Sequence, residues 1–295
     1  PEEAVGMLYD ATRCIGCRAC VVECKTINNK EPENTVENPQ WDMAQDLSSD
    51  TLNIIKAYRD DEVDEFSFIK RNCMHCVDPS CVSVCPVSAL TKDPVTGIVS
   101  YDKDQCVGCR YCMTACPYNV PKYSYDEVFG EINKCTFCNS KGVERIDQGL
   151  LPGCADVCPT GANIFGKRAD LLEEAKRRLA LKPGDKYNYK IGSIDAPHEQ
   201  EGTVPQYIQR VYGESELGGT QVMYLADVDF EKIGMPNHPE RSYAANAETV
   251  QHTIYAGLAA PTALLGGLLF LIHRAQKKTK QELLEQEQKR QEDEA

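Results

Sequence analysis

The alternation of apolar and polar positions predicts several short strands, one amphipathic helix and one long apolar run. Across residues 168–181, Leu171, Leu172, Ala175 and Leu179 recur at helical spacing, which predicts a helix with one buried side. Lys182, Pro183 and Gly184 then stop it. Residues 89–101 carry two β-branched stretches around Asp93-Pro94 and Thr96-Gly97, a hairpin pattern. Residues 53–58 and 66–69 read as strands inside an otherwise loop-like insert at 25–71, and residues 221–225 read as a further strand. The remainder of 182–250 is rich in tyrosine, glycine and proline and is expected to form an extended wrap and linker.

The apolar run covers residues 253–272, twenty positions without a charge. At 1.5 Å per residue a helix of this length spans about 30 Å, the thickness of a bilayer core. The alternative, a buried core helix, is disfavoured by the length of the uncharged run. Pro261 is expected to kink the helix, which membrane helices tolerate. Ala259, Ala263 and Gly267 repeat every four residues, a small-residue stripe that suits close helix packing or reflects composition alone. His273, Arg274, Lys277, Lys278 and Lys280 follow the run, with no acid before residue 281. Positive flanks stay in the cytoplasm, so the span at 251–274 predicts a cytoplasmic tail at 275–295 and a periplasmic remainder. His252 and Tyr255 are expected at the outer interface as anchors. The chain starts at Pro1, so a preceding segment is expected to have been removed or left out, and no targeting signal can be read.

Composition narrows the class. With 42% hydrophobic and 26% charged residues the chain is globular rather than disordered. A net charge of −13 argues against nucleic-acid binding, which needs a basic face. Residues 31–65 hold eleven acidic and two basic side chains, either a solvated loop face or a docking surface.

The chemistry lies in sixteen cysteines, which fall into four groups with none left over. They are Cys14, Cys17, Cys20, Cys24; Cys73, Cys76, Cys81, Cys85; Cys106, Cys109, Cys112, Cys116; and Cys135, Cys138, Cys154, Cys158. The third group, followed by Pro117, reads C-x-x-C-x-x-C-x-x-x-C-P. Three thiolates at this spacing can close on one [4Fe–4S] cube, while the fourth serves another. Zinc needs only four ligands, usually as two separated pairs, and four runs with two-residue gaps do not suit disulfide bridges. The groups also repeat. Tyr9-Asp10 stands before Cys14 as Tyr101-Asp102 stands before Cys106, and Pro79, Cys81, Val84, Cys85, Pro86 and Ala89 recur as Pro152, Cys154, Val157, Cys158, Pro159 and Ala162. The expected fold is therefore α+β, built from duplicated bacterial ferredoxin-like modules of two [4Fe–4S] clusters each, with loop-rich inserts and one C-terminal transmembrane helix. Arg18, Lys25, Arg71, Arg110 and Lys134 lie beside ligands and could tune their potentials or be ordinary surface residues. His75 lies between Cys73 and Cys76, but the full complement of cysteines leaves it no vacancy as a ligand. No nucleophile triad, phosphate loop, pterin or nickel pattern is evident, so a catalytic role for the chain itself is not expected.

These cysteine runs, with Cys73-Met74-His75-Cys76-Val77-Asp78-Pro79, residues 116–123 and Gly219-Thr220-Gln221-Val222, resemble the iron–sulfur electron-transfer subunits of bacterial respiratory oxidoreductases. The likeness covers nearly the whole chain and is closer to the membrane-anchored subunit of the hydrogenase-2 type than to formate dehydrogenase, dimethyl sulfoxide reductase or polysulfide reductase β subunits. It implies four [4Fe–4S] clusters in a nested pairing. Cys14, Cys17, Cys20 and Cys158 would hold the first, Cys135, Cys138, Cys154 and Cys24 the second. Cys73, Cys76, Cys81 and Cys116 would hold the third, and Cys106, Cys109, Cys112 and Cys85 the fourth. The implied partners are the small and large subunits of a periplasmic [NiFe] hydrogenase, a multi-span quinone-binding membrane subunit and the bilayer of the inner membrane. The alternative partner is a formate dehydrogenase or another molybdopterin oxidoreductase. Export by the twin-arginine route is implied as well. The implied organisation is a four-cluster domain at 1–181, the wrap at 182–250, the span and the tail.

Overall fold

A computed structural model describes residues 3–34, 42, 44–60, 65–126 and 130–293. Residues 35–41, 43 and 61–64 of the acidic run at 31–65 lie outside the described residues. In chain order the elements are β1 Val5–Asp10, α1 Ala19–Ile27, β2 Ile54–Asp60, β3 Glu65–Arg71, α2 Ser80–Ser83, β4 Leu90–Lys92, β5 Val99–Tyr101, α3 Tyr111–Ala115, β6 Lys122–Tyr123 and β7 Ile132–Asn133. They continue with α4 Gly153–Asp156, β8 Asn163–Lys167, α5 Arg168–Ala180, β9 Lys186–Lys190, β10 Glu199–Thr203, β11 Val222–Leu225 and α6 Tyr243–Asp293. Helix and strand are mixed, and the chain divides into two units, Pro1–Ala244 and Ala245–Ala295.

The first unit is organised on a three-stranded sheet with β1 in the middle, β11 parallel to it and β8 antiparallel. Residues 6–10 of β1 are all buried, because both faces of the strand are covered. Side chains alternate across the sheet. Leu8, Ile164, Met223 and Leu225 pack against Leu171 and Ala175 of α5. Met7, Tyr9, Phe165, Val222 and Tyr224 face the other way, into the cluster that contains Cys73, Cys135 and Cys154. The sheet thus has one face under a helix and one turned to the cysteines.

Segment 182–250, expected as a wrap, does more than cover the surface. It supplies the hairpin β9–β10 and the buried strand β11. Parallel pairing of Met7 with Val222 joins positions far apart in sequence, which no local pattern encodes. The strands expected at 53–58 and 66–69 are β2 and β3, an antiparallel pair with Ile54 opposite Arg71. The hairpin expected at 89–101 is β4–β5, with Leu90 opposite Tyr101. The amphipathic helix ends one residue before the predicted Leu181.

A buried polar network fixes the far end of β1. Asp10 accepts from Arg178 Nη1 at 3.0 Å and from the Tyr207 hydroxyl at 2.6 Å. Arg178 Nε donates to Glu174 at 2.8 Å. Asp10 also accepts from Thr12 N at 3.1 Å, so the network holds the backbone where it turns towards Cys14. Buried charges are tolerated when paired in this way, and removing one partner costs about 3–5 kcal/mol.

The second unit is helical. Helix α6 contains Pro261 and is long and apolar enough to cross a membrane. It runs on through Asp293, so the end of the expected linker, the span and most of the charged tail form one continuous helix.

Candidate metal centres

The local backbone of the cysteine loops follows from their glycines and from two arginines. Gly16 and Gly108 have φ of 69° and 67°, and Arg18 and Arg110 cap the following helices in the left-handed region at 58° and 63°. These conformations turn the chain tightly enough to aim successive cysteines inward, and Gly is the residue that adopts them without penalty. The short helices α2 and α4 are preceded by Pro79 and Pro152 respectively, neither in a helical conformation. In the antiparallel pairings β1–β8 and β4–β5, Tyr9 faces Asn163 as Tyr101 faces Leu90.

The structure gathers the cysteines from distant loops. One cavity is lined by Cys14, Cys17, Cys20 and Cys158. A second is lined by Cys24, Cys135, Cys138 and Cys154, and another by Cys85, Cys106, Cys109 and Cys112. The remaining four also face one another: Cys76 is perturbed by Cys73, Cys116 and Cys81. Each set thus draws its members from at least two groups of the sequence. Among the described residues, no group of three or more His, Cys, Asp or Glu stands at the spacing of a single metal ion. Three of the four sets line cavities of their own.

Successive sets lie within electrostatic reach of one another. Cys20 of the Cys14 set is electrostatically coupled to Cys154. Cys135, beside Cys154, is coupled to Cys73. Cys81, beside Cys73, is coupled to Cys112. Cys17 in the first of these sets and Cys109 in the last are exposed, whereas Cys24, Cys135, Cys138 and Cys154 are all buried.

The thiols are strongly perturbed. Burial pushes Cys20, Cys81 and Cys135 up to about 12, and Cys112 up to about 11. Neighbouring cysteines add to the effect in each case. Sulfurs crowded and buried in this way become thiolates when cationic metal compensates their charge. Amide groups already point at some of them: Gly108 N donates to Cys106 Sγ at 3.4 Å, and Val120 N to Cys116 and Phe137 N to Cys135 at 3.5 Å. The hydroxyls of Tyr9 and Tyr101 lie near Cys14 and Cys106 from equivalent positions, the first donating to Phe68 O at 2.9 Å.

The charged side chains singled out by adjacency behave differently. Arg18 and Arg110 are exposed. Lys25 is buried but forms an ion pair with Asp42 at 2.9 Å. Arg71 donates to the carbonyl of Gly234. Lys134 is buried and donates to the carbonyls of Val99 and Cys135. His75 is fully buried, accepts from Val99 N at 3.0 Å, and stacks on Phe137 at 4.0 Å between centroids. Burial and the ammonium of Lys134 hold it well below the ordinary histidine range, in the neutral form. His75 and Phe137 lie in the loops of adjacent sets, so the ring pair joins them. Adjacency in sequence missed Lys70, which lines the cavity of Cys24 and is 1% exposed. The period-two alternation of β3 was the available signal, since it puts Lys70 on the face of Phe68.

Comparison with known proteins agrees with this donor set. A family model described as a 4Fe-4S dicluster domain matches residues 64–168, which hold twelve of the sixteen cysteines. The chain is 52% identical over 279 residues to the "Hydrogenase-2 operon protein HybA" of Escherichia coli O157:H7, covering 92% of this chain and 84% of that protein. It is 32% identical over 272 residues to the formate dehydrogenase-O iron–sulfur subunit of Escherichia coli K12, covering 90% of this chain and 79% of that protein. The nitrate-inducible formate dehydrogenase iron–sulfur subunit of the same organism is also 32% identical, over 241 residues, covering 80% of this chain and 74% of that protein. The sixteen cysteines fit four [4Fe–4S] clusters.

Proposed function

The chain belongs to the family of HybA, the hydrogenase-2 operon protein, and from this premise we propose that it is the electron-transfer subunit of a membrane-bound [NiFe] hydrogenase complex. The observation that carries the reading is the succession of four neighbouring cysteine sets, with an exposed cysteine in the first and in the last. A relay needs closely spaced interior sites and two accessible ends; a structural metal site needs neither. The higher identity to HybA than to the formate dehydrogenase subunits favours a hydrogenase as the partner.

In this reading Cys14, Cys17, Cys20 and Cys158 hold the first cluster, and Cys24, Cys135, Cys138 and Cys154 the second. Cys73, Cys76, Cys81 and Cys116 hold the third, and Cys85, Cys106, Cys109 and Cys112 the fourth. When bound, these groups supply reversible one-electron storage with little reorganisation. The chain's own residues hold the thiolates inward, donate amide hydrogens to sulfur and keep water from the set of Cys24, Cys135, Cys138 and Cys154. The shared backbone of the Cys14 and Cys106 loops, and the shared register of their strands, support an origin by duplication of a two-cluster ferredoxin-like module.

The end near Cys17 faces the hydrogenase small subunit, which docks in turn on the large subunit. The end near Cys109 faces a multi-span quinone-binding membrane subunit. The span at 251–274 anchors the chain in the inner membrane, with residues 275–295 in the cytoplasm and the cluster domain at 1–181 in the periplasm after twin-arginine export. The apolar helix and its basic flank support this orientation. The test is hydrogen-dependent quinone reduction in membranes lacking this chain. Its loss, with restoration by the full-length chain, is expected; undiminished reduction in its absence would refute the assignment.

A further inference from the structure

Lys70 has no carboxylate within ion-pairing distance among the described residues, although it is buried on β3. Its side-chain contacts are with sulfur. Nζ lies 3.8 Å from Met7 Sδ and within hydrogen-bond reach of Cys154, whose own Sγ lies 3.8 Å from the same Met7 atom. The ammonium lines the second cavity, and its field reaches Cys20 of the first. Burying an unpaired ammonium is costly, and a fold retains one only where opposite charge compensates it. The cysteine sets are the available compensation. A [4Fe–4S] group held by four thiolates is net negative, and reduction adds a further negative charge. A fixed positive charge beside it therefore stabilises the reduced form. Lys25 offers the contrast, because Asp42 neutralises it. Among the described residues nothing equivalent lines the fourth cavity, where the exposed Arg110 is the one cation.

We propose that Lys70 is an electrostatic bias built between the first and second cysteine sets, raising the reduction potentials of both clusters and leaving the fourth nearly unaffected. The proposal rests on the ligand sets given under the proposed function and goes beyond them, since the sets alone fix which thiolates bind and not how each cluster is poised.

The test is an EPR-monitored redox titration of the full-length, iron- and sulfide-loaded protein in detergent, compared with Lys70→Met. With iron content unchanged, two of the four midpoint potentials are expected to move to more negative values while at least the fourth cluster's stays in place. Four unmoved potentials at full iron content would overturn the role of Lys70 but leave the ligand sets standing. An iron content below four clusters in the unsubstituted protein would overturn the ligand sets instead. Should Lys70→Met lose iron, the unsubstituted protein grown on lysine labelled with ¹⁵N at Nζ decides. A hyperfine coupling between that nitrogen and a reduced cluster is expected, and its absence would refute the placement of the ammonium.

Discussion

The loops at 14–20 and 106–112 share a backbone and differ in what stands behind them. Both turn on a glycine near φ 68° and an arginine near 60°, and both lead into a helix. Behind the first, Asp10 is buried and tied to Arg178, Gly16 sits against the Phe68 ring, and Cys20 feels Lys70. Behind the second, Asp102 is exposed and bonds only locally, to Asp104 N and Gln105, and Gly108 faces the Tyr123 hydroxyl. The motif thus sets the ligand geometry, while the surrounding sheet sets the electrostatics. Two copies of one loop can in this way serve different positions in a relay.

The same substitution at the two aspartates separates these contributions most strongly. Asp10→Asn leaves Arg178 without its deepest partner and should cost about 3 kcal/mol. Asp102→Asn should stay within about 0.5 kcal/mol, as expected for an exposed position. Thermal unfolding of the two loaded variants reads the difference as a large fall in Tm for the first and little change for the second; equal shifts would remove the asymmetry.

The glycines give a smaller contrast. Alanine in the left-handed region costs about 1–2 kcal/mol at either position. At Gly16 the added Cβ would also meet the Phe68 ring at 2.5 Å, whereas at Gly108 the nearest atom is the Tyr123 hydroxyl at 3.2 Å. Gly16→Ala should therefore lose more Tm and bind less iron than Gly108→Ala. The reverse order would show that the β2–β3 pair yields easily and does not hold the first loop.

The cysteine frame, the β4–β5 hairpin and α5 were legible in sequence because each is encoded locally, by spacing, turn residues or periodicity. The pairing of β1 with β11 was not, since it joins strands more than two hundred residues apart and depends on packing alone. The strand itself was legible at residues 221–225, inside the region read as a wrap, but its place in the core sheet was not. At the metal centres, adjacency to cysteine singled out Arg18 and Arg110, which are exposed at the rims of their cavities, and passed over the buried Lys70, which precedes Arg71 in the chain. A strand sends neighbouring residues to opposite faces, so distance along the sequence was a poor guide to distance from sulfur. His75 escaped placement similarly, because its stacking partner Phe137 comes from another loop.

The claim on which the rest depends is that sixteen cysteines form four complete cluster sites. Iron and acid-labile sulfide analysis of the purified full-length protein tests it most directly. Four clusters predict about sixteen of each per chain, in a brown protein. About eight of each, or a colourless protein carrying stoichiometric zinc, would contradict it.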